Sequence, residues 1–122
     1  MARLVLLGGG HSHVEVLRRA PGLALPAELV LVEPHAVLPY TGMVPGYIAG
    51  LYRQEDILID LVALCVRAGA AFKRAQAIGI DTALRQVRCD DGTIVDYDLL
   101  SIDIGSTLDM SVPGATEHAL AV

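Results

Sequence analysis

Leu4-Val5-Leu6-Leu7-Gly8-Gly9-Gly10-His11-Ser12-His13-Val14 is the stretch on which the reading of this chain turns: an apolar run stops at three glycines and continues as a helix candidate. A short buried strand delivers the chain to a tight turn, and the helix that follows points its free N–H groups past the strand end. Gly8 and Gly10 let the backbone approach a ligand, and the expected ligand is a dinucleotide held by its phosphates. Both match the fingerprint G-x-G-x-x-G, whereas His13 stands where a third glycine normally lets helix and strand pack closely.

Working outward, the next apolar run, Leu29-Val30-Leu31-Val32, ends in Glu33. The fingerprint calls for an acidic residue roughly 20 positions further on, and Glu33 fills that place. Its carboxylate can accept hydrogen bonds from both ribose hydroxyls of an adenosine and repels a 2′-phosphate at the same spot, which favours FAD or NAD over NADP. The competing reading makes the glycines an ordinary turn and Glu33 a solvated strand end. Ser12 and Glu15 also have the spacing of a capping box, which competes with a phosphate for the same N–H donors.

The remainder of the chain bounds the fold. With 122 residues the expectation is a single domain, 1–122. Its 53% hydrophobic content and mean hydropathy of +0.51 suit strands buried on both faces of a parallel sheet, and equally suit a segment of a larger domain. The net charge of -5, with no basic cluster beyond Arg18-Arg19 and Lys73-Arg74, argues against a nucleic-acid surface. The longest apolar run, Leu61 to Val66, is far too short to span a bilayer. Cys65 and Cys89 form no CxxC pair and read as buried structural thiols of a reducing compartment, the cytoplasm.

Periodicity and breakers predict a strand from Arg3 to Leu7 and a helix from His11 to Ala20 ended by Pro21-Gly22, with Val14 and Leu17 facing the sheet. Pro34 to Gly46 reads as a long ligand-facing loop. Asp56 is expected to cap a helix that buries Ile57, Leu61, Leu64 and Ala68 and stops at Gly69. Ala70 to Ile80 reads as one strand, and Arg85–Cys89 pairs with Thr93–Tyr97 through Asp91-Gly92. Leu99 to Ile104 is a last buried strand ending at Gly105-Ser106, and the tail from Ser111 is the least structured segment. Helical connections first and a hairpin second are not the order of a nicotinamide dehydrogenase. They suggest an α/β fold whose parallel sheet has a β-meander in place of one crossover helix.

Three segments together carry a resemblance: Gly8-Gly9-Gly10-His11-Ser12-His13-Val14, Pro39-Tyr40-Thr41-Gly42-Met43-Val44-Pro45-Gly46-Tyr47-Ile48-Ala49-Gly50, and Leu100-Ser101-Ile102-Asp103-Ile104-Gly105-Ser106. The chain resembles the N-terminal FAD-binding segment of pyridine nucleotide-disulfide oxidoreductases, in the branch of type II NADH dehydrogenases and sulfide:quinone reductases. It is most similar to the flavoprotein module found alone or fused to selenide, water dikinase, a subgroup whose pattern His13 fits. The resemblance implies a Rossmann-like FAD/NAD(P)-binding fold, here a truncated domain without the NAD(P)H-binding domain and C-terminal region of full members. It implies that Gly8, Gly9 and Gly10 hold the FAD pyrophosphate, with His11 and Ser12 at the helix start, Glu33 on the adenosine ribose and Pro34 shaping the turn beyond it. By the same resemblance Thr41, Gly42 and Met43 lie along the inner part of the cofactor, Ala77 meets adenine through its backbone, and Gly105 allows close approach at the last strand's end.

For a full-length protein the resemblance implies a flavoprotein oxidoreductase that passes hydride from NAD(P)H to FAD and then electrons to a quinone or another small acceptor, with this chain alone inactive. The CxxxxC pair of the redox-disulfide branch is missing between Pro34 and Tyr52, so disulfide exchange is not expected. The flavin supplies the chemistry, so no catalytic residue is assigned, and Tyr40 and His35 read as loop packing. His11 and His13, two apart on a helix, point in different directions and make a poor metal chelate, so no metal is expected. The partners are small-molecule electron donors and acceptors, and uncovered apolar surface predicts self-association of the isolated chain. Two other readings remain open: a non-catalytic dinucleotide-binding module, and a fragment of an NAD-dependent dehydrogenase.

Overall fold

The structure, a computed structural model, describes residues 1–120. In chain order it contains β1 (Ala2–Leu7), α1 (His11–Arg19), β2 (Ala27–Val32), β3 (Val37–Pro39), α2 (Val44–Ile48), β4 (Leu58–Asp60) and α3 (Leu61–Ala68). β5 (Ala71–Lys73), β6 (Ala77–Asp81), β7 (Gln86–Cys89), β8 (Ile94–Asp96), β9 (Leu99–Ile102) and α4 (Ala115–His118) follow. Four strands form a parallel sheet in the order β5-β2-β1-β9.

The central strands are apolar from Leu4 and Leu29 onward, where both faces are covered. Leu6, Leu29 and Leu31 pack with Leu17 and Ala20 of the α1 region and with Leu61 and Cys65 of α3. The alternate residues Val5, Leu7, Val30 and Val32 pack with Ala75, Val87 and Cys89 under the antiparallel meander β6-β7-β8. Strand period 2 thus sends one set of side chains to the helices and the other to the meander. The meander stands where a crossover helix would otherwise carry the chain from β5 to β9. Its β7–β8 turn is a three-residue loop, Asp90 to Gly92, in which Gly92 has φ +82° and donates to the Cys89 carbonyl at 3.1 Å.

Several local expectations change in the folded chain. The helix capped by Asp56 starts four residues later: Asp60 is the N-cap of α3 and accepts from the Ala63 N–H at 3.0 Å. Asp56 instead closes a 3-10 turn, Gln54–Ile57, through Arg53, and Ile57 is buried from that turn. Leu58–Asp60 then pairs antiparallel with Val37–Pro39, which places a strand inside the expected loop Pro34 to Gly46. Ala70 to Ile80 is two strands, because β5 belongs to the parallel sheet and β6 to the meander, with Arg74-Ala75-Gln76 turning between them.

The last strand ends at Ile102 rather than Ile104. On α1 the buried residues are His13 and Leu17, with Val14 only partly covered. The Ser12–Glu15 capping box does not form: Gly10 is the N-cap without a side-chain cap, and Glu15 pairs instead with Arg18 and Arg19. In the tail, Ala115–His118 forms a single helical turn, and Ala121 and Val122 lie outside the described residues.

β1 and β9 are neighbours, yet the chain leaves β1 along the helix face and enters β9 from the meander face. The strand order changes direction between them, and in open α/β sheets a crevice opens at the carboxyl ends of such strands. The glycine turn lies at that end of β1, and Asp103 to Ser106 lie at that end of β9.

Candidate dinucleotide site

The crevice is a cleft of about 760 Å³ at the carboxyl ends of β1, β2 and β9, within the usual range for cofactor pockets. It brings together Gly8, Gly9, Gly10, His11, Ser12, Glu33, Pro34, Thr41, Ala77 and Gly105 from the sequence-predicted set. Gly42 and Met43 lie outside its lining. Gly42 is tucked against the Tyr40 ring, where a Cβ would meet ring atoms at 3.0 to 3.3 Å. No Lys or Arg lines the cleft among the described residues.

Glu33 directly follows β2 and is not a solvated residue, since only 7% of its surface is exposed. Its Oε2 accepts from the Gly9 N–H at 2.8 Å, while Oε1 accepts from the His35 N–H at 3.2 Å and lies 3.0 Å from His35 Nδ1. The carboxylate therefore ties the glycine turn to the end of the neighbouring strand. Beyond it, the Arg74 side chain donates to the Pro34 carbonyl at 3.2 Å and fixes the turn that Pro34 begins. The rest of the loop is anchored too: Tyr40 N–H donates to the Ile57 carbonyl at 2.7 Å, and Leu61 N–H to the Ala36 carbonyl at 2.9 Å.

His13 shows what replaces the third glycine. The side chain is 2% exposed, with Nδ1 2.7 Å from the Gly8 carbonyl oxygen and Nε2 2.8 Å from Ser101 Oγ. A carbonyl only accepts, so Nδ1 carries a proton toward Gly8, and the ring joins the glycine turn of β1 to β9. Where glycine would bring helix and strand into direct contact, an imidazole fills the gap with both nitrogens satisfied. His11, two residues earlier, faces the other way: its ring lies 4.8 Å from that of Tyr40, and Nε2 is 3.4 Å from Thr41 Oγ1.

The residue missed by sequence reasoning is Asp103. Its N–H donates to the Leu7 carbonyl at 2.8 Å, and its carbonyl accepts from the Gly10 N–H at 3.1 Å. Its Oδ2 accepts from the Ser12 N–H at 3.0 Å and reaches the His13 N–H at 3.4 Å, so a carboxylate just past the end of β9 caps α1. The glycines answer to it: a Cβ on Gly8 would lie 2.3 Å from the Asp103 carbonyl oxygen, and one on Gly10 would lie 2.2 to 2.3 Å from the carboxyl atoms. Gly8 and Gly10 thus accommodate the segment that follows β9, in addition to whatever ligand approaches. Asp103 stood inside the quoted run Leu100 to Ser106, but a contact spanning 91 residues leaves no local signal.

The two thiols are buried on opposite faces of the sheet, Cys65 among the helix contacts and Cys89 under the meander. Burial pushes the Cys65 thiol up to about 11, away from a reactive thiolate. No helix among the described residues is long and apolar enough to cross a membrane.

No protein-family model and no curated protein matches the sequence. Solved structures do. The sulfide:quinone oxidoreductase of the hyperthermophilic bacterium Aquifex aeolicus is similar at TM-score 0.85 and 24% identity, over 96% of this chain and 27% of that one. NDH2 from Plasmodium falciparum, in complex with NADH, is similar at TM-score 0.74 and 14% identity, over 95% of this chain and 25% of that one. The water-forming NADH oxidase from Lactobacillus brevis, bound to NADH, gives 0.75 and 18%, over 97% and 28%. The chain therefore spans about a quarter of the length of these proteins. At such identities the likeness is one of fold: the chain is a Rossmann-like α/β unit, the FAD/NAD(P)-binding fold expected from its resemblance to pyridine nucleotide-disulfide oxidoreductases.

Proposed function

We propose that this chain is the FAD-binding segment of an FAD-dependent NAD(P)H oxidoreductase, acting in the cytoplasm on small-molecule electron donors and acceptors, a quinone among them. The observation that carries the reading is the convergence, in one cleft at the strand-order switch, of the glycine turn, the Glu33 carboxylate, Ala77 and Gly105. The residues fit the group. Gly105 has φ +71° with open space where a Cβ would stand, and Glu33 is an acceptor-only group at the end of β2.

In this reading Gly8, Gly9, Gly10, His11 and Ser12 face the pyrophosphate, Glu33 and Pro34 the adenosine ribose, and Ala77 the adenine. Thr41 lines the same cleft toward the flavin end, and Gly42 and Met43 follow it in the same 3-10 turn. When bound, FAD supplies the hydride acceptance and electron transfer, which needs no general acid or base from this chain. The chain's own task is to bind and orient. The solved proteins with this fold include two bound to NADH, which supports NAD(P)H as the donor of the longer protein. Exposed Leu99 and Ile102 on the edge strand β9 support self-association of the isolated chain.

The test is a titration of the chain with FAD, followed by flavin fluorescence, with NAD in a parallel sample. Saturable binding of FAD in preference to NAD is expected. Equal binding of both favours a general dinucleotide module, and binding of neither by this chain or by a longer form removes the reading.

A further inference from the structure

The N–H donors that a phosphate is expected to use are already engaged within the protein. Gly8 N–H donates to the Val32 carbonyl at 2.9 Å, Gly9 N–H to Glu33 at 2.8 Å and Gly10 N–H to the Asp103 carbonyl at 3.1 Å. Ser12 N–H and, more weakly, His13 N–H donate to the Asp103 carboxylate, and Val14 N–H to the Gly10 carbonyl at 2.9 Å. Only the His11 N–H has no acceptor among the described residues. Two of these acceptors are side-chain carboxylates, Glu33 at the Gly9 amide and Asp103 at the helix start.

We propose that the Asp103 carboxylate is a built-in anion that occupies the helix-start donors of α1, so that a pyrophosphate binds by displacing it. The proposal rests on the dinucleotide reading above and names what regulates that site. Asp103 and Gly10 line the same cleft, and the carboxyl group lies directly over the Gly10 α carbon. A phosphate and a carboxylate cannot share one helix terminus without like-charge repulsion, and each would take the same N–H groups.

Displacement is within reach of a side-chain rotation. The Asp103 backbone is bonded on both sides, to Leu7 and to Gly10, so β9 stays in place while the carboxylate swings away from Ser12. No cationic side chain lines the cleft among the described residues to hold both anions together. The internal carboxylate therefore weakens every ligand that carries a phosphate and leaves one without phosphate untouched.

ADP and adenosine separate these cases, because they share the ribose that faces Glu33 and differ in the diphosphate. Calorimetric titration of the wild-type chain, Asp103→Ala and Asp103→Asn is expected to give ADP a dissociation constant about tenfold lower in the Ala variant, about 1.4 kcal/mol. Asn keeps an oxygen acceptor for Ser12 while removing the charge, so its gain is smaller and its fold is preserved. Adenosine is expected to change by less than about twofold, since it places no charge at the helix start. Parallel changes in ADP and adenosine, or weaker ADP binding in both variants, overturn the proposal. Adenosine and ADP binding that is insensitive to Asp103 sinks this inference alone, whereas no binding by any of the three proteins sinks the dinucleotide reading with it.

Discussion

Glu33→Ala removes the one acceptor of the buried Gly9 N–H and the partner of the half-buried His35 N–H. An orphaned buried donor costs about 1–3 kcal/mol, and the more exposed His35 amide, which water can reach, adds little. The expected loss of stability is therefore about 1–3 kcal/mol. For a domain of this size unfolding entropy is on the order of 250 cal/mol/K, so the midpoint of thermal unfolding falls by roughly 4–12 °C. Glu33→Gln keeps one oxygen for Gly9 but turns an NH₂ toward the His35 N–H, and is expected to lose about half as much. Glu33→Arg, which offers no acceptor, resembles Ala in stability and adds a steric load. The substitution therefore tests the fold as well as ligand binding, because Glu33 is a structural tie as well as a ribose-facing group.

Thermal melts followed by circular dichroism read the first effect, and FAD titration of the folded variants below their midpoints reads the second. Loss of charge-assisted bonds to ribose, at about 1.5–3 kcal/mol each, predicts FAD binding weaker by at least about tenfold. Midpoints within about 2 °C of wild type for both Ala and Gln would refute the role of Glu33 in holding the turn, since at this size 2 °C is only about half a kcal/mol. Unchanged FAD affinity would refute the ribose assignment.

The shifted start of α3 is tested by Asp60→Ala, which removes the bond from Ala63 N–H and is expected to cost about 1 kcal/mol, read by urea unfolding. Asp56→Ala, which opens only the exposed 3-10 turn with Arg53, is expected to matter less, and the reverse ranking would restore a helix beginning at Ile57. Cys65 is expected to resist thiol reagents at neutral pH while the chain is folded. Its pKa is raised by burial from 9.0 to about 11, so the unfolded thiol ionises first and stability falls as pH rises from about 9 toward 11. Cys65→Ala is expected to abolish that alkaline component in melts taken across this range.

The sequence by itself determined what depends on neighbours along the chain. The doubly apolar runs at Leu4–Leu7 and Leu29–Val32, the breakers after α1 and the Asp91-Gly92 turn are local signals, and strands, helix end and hairpin formed where those signals stood. Glu33 was legible at the end of β2 for the same reason. Tertiary structure decided what depends on residues far apart. The apolar stretch Ala70 to Ile80 divides because its first part completes the parallel sheet and its second part joins the meander, two environments that its own periodicity does not separate. Asp60 displaced Asp56 as the helix cap once Leu58–Asp60 found Val37–Pro39 as a strand partner. The capping of α1 went to Asp103, 91 residues from Ser12, because closing β9 against β1 carries a carboxylate to the helix start. Loop closure across such a distance adds only slowly to the entropic cost of folding, so a distant partner with better geometry displaces a nearby one, and no window of local sequence records that outcome.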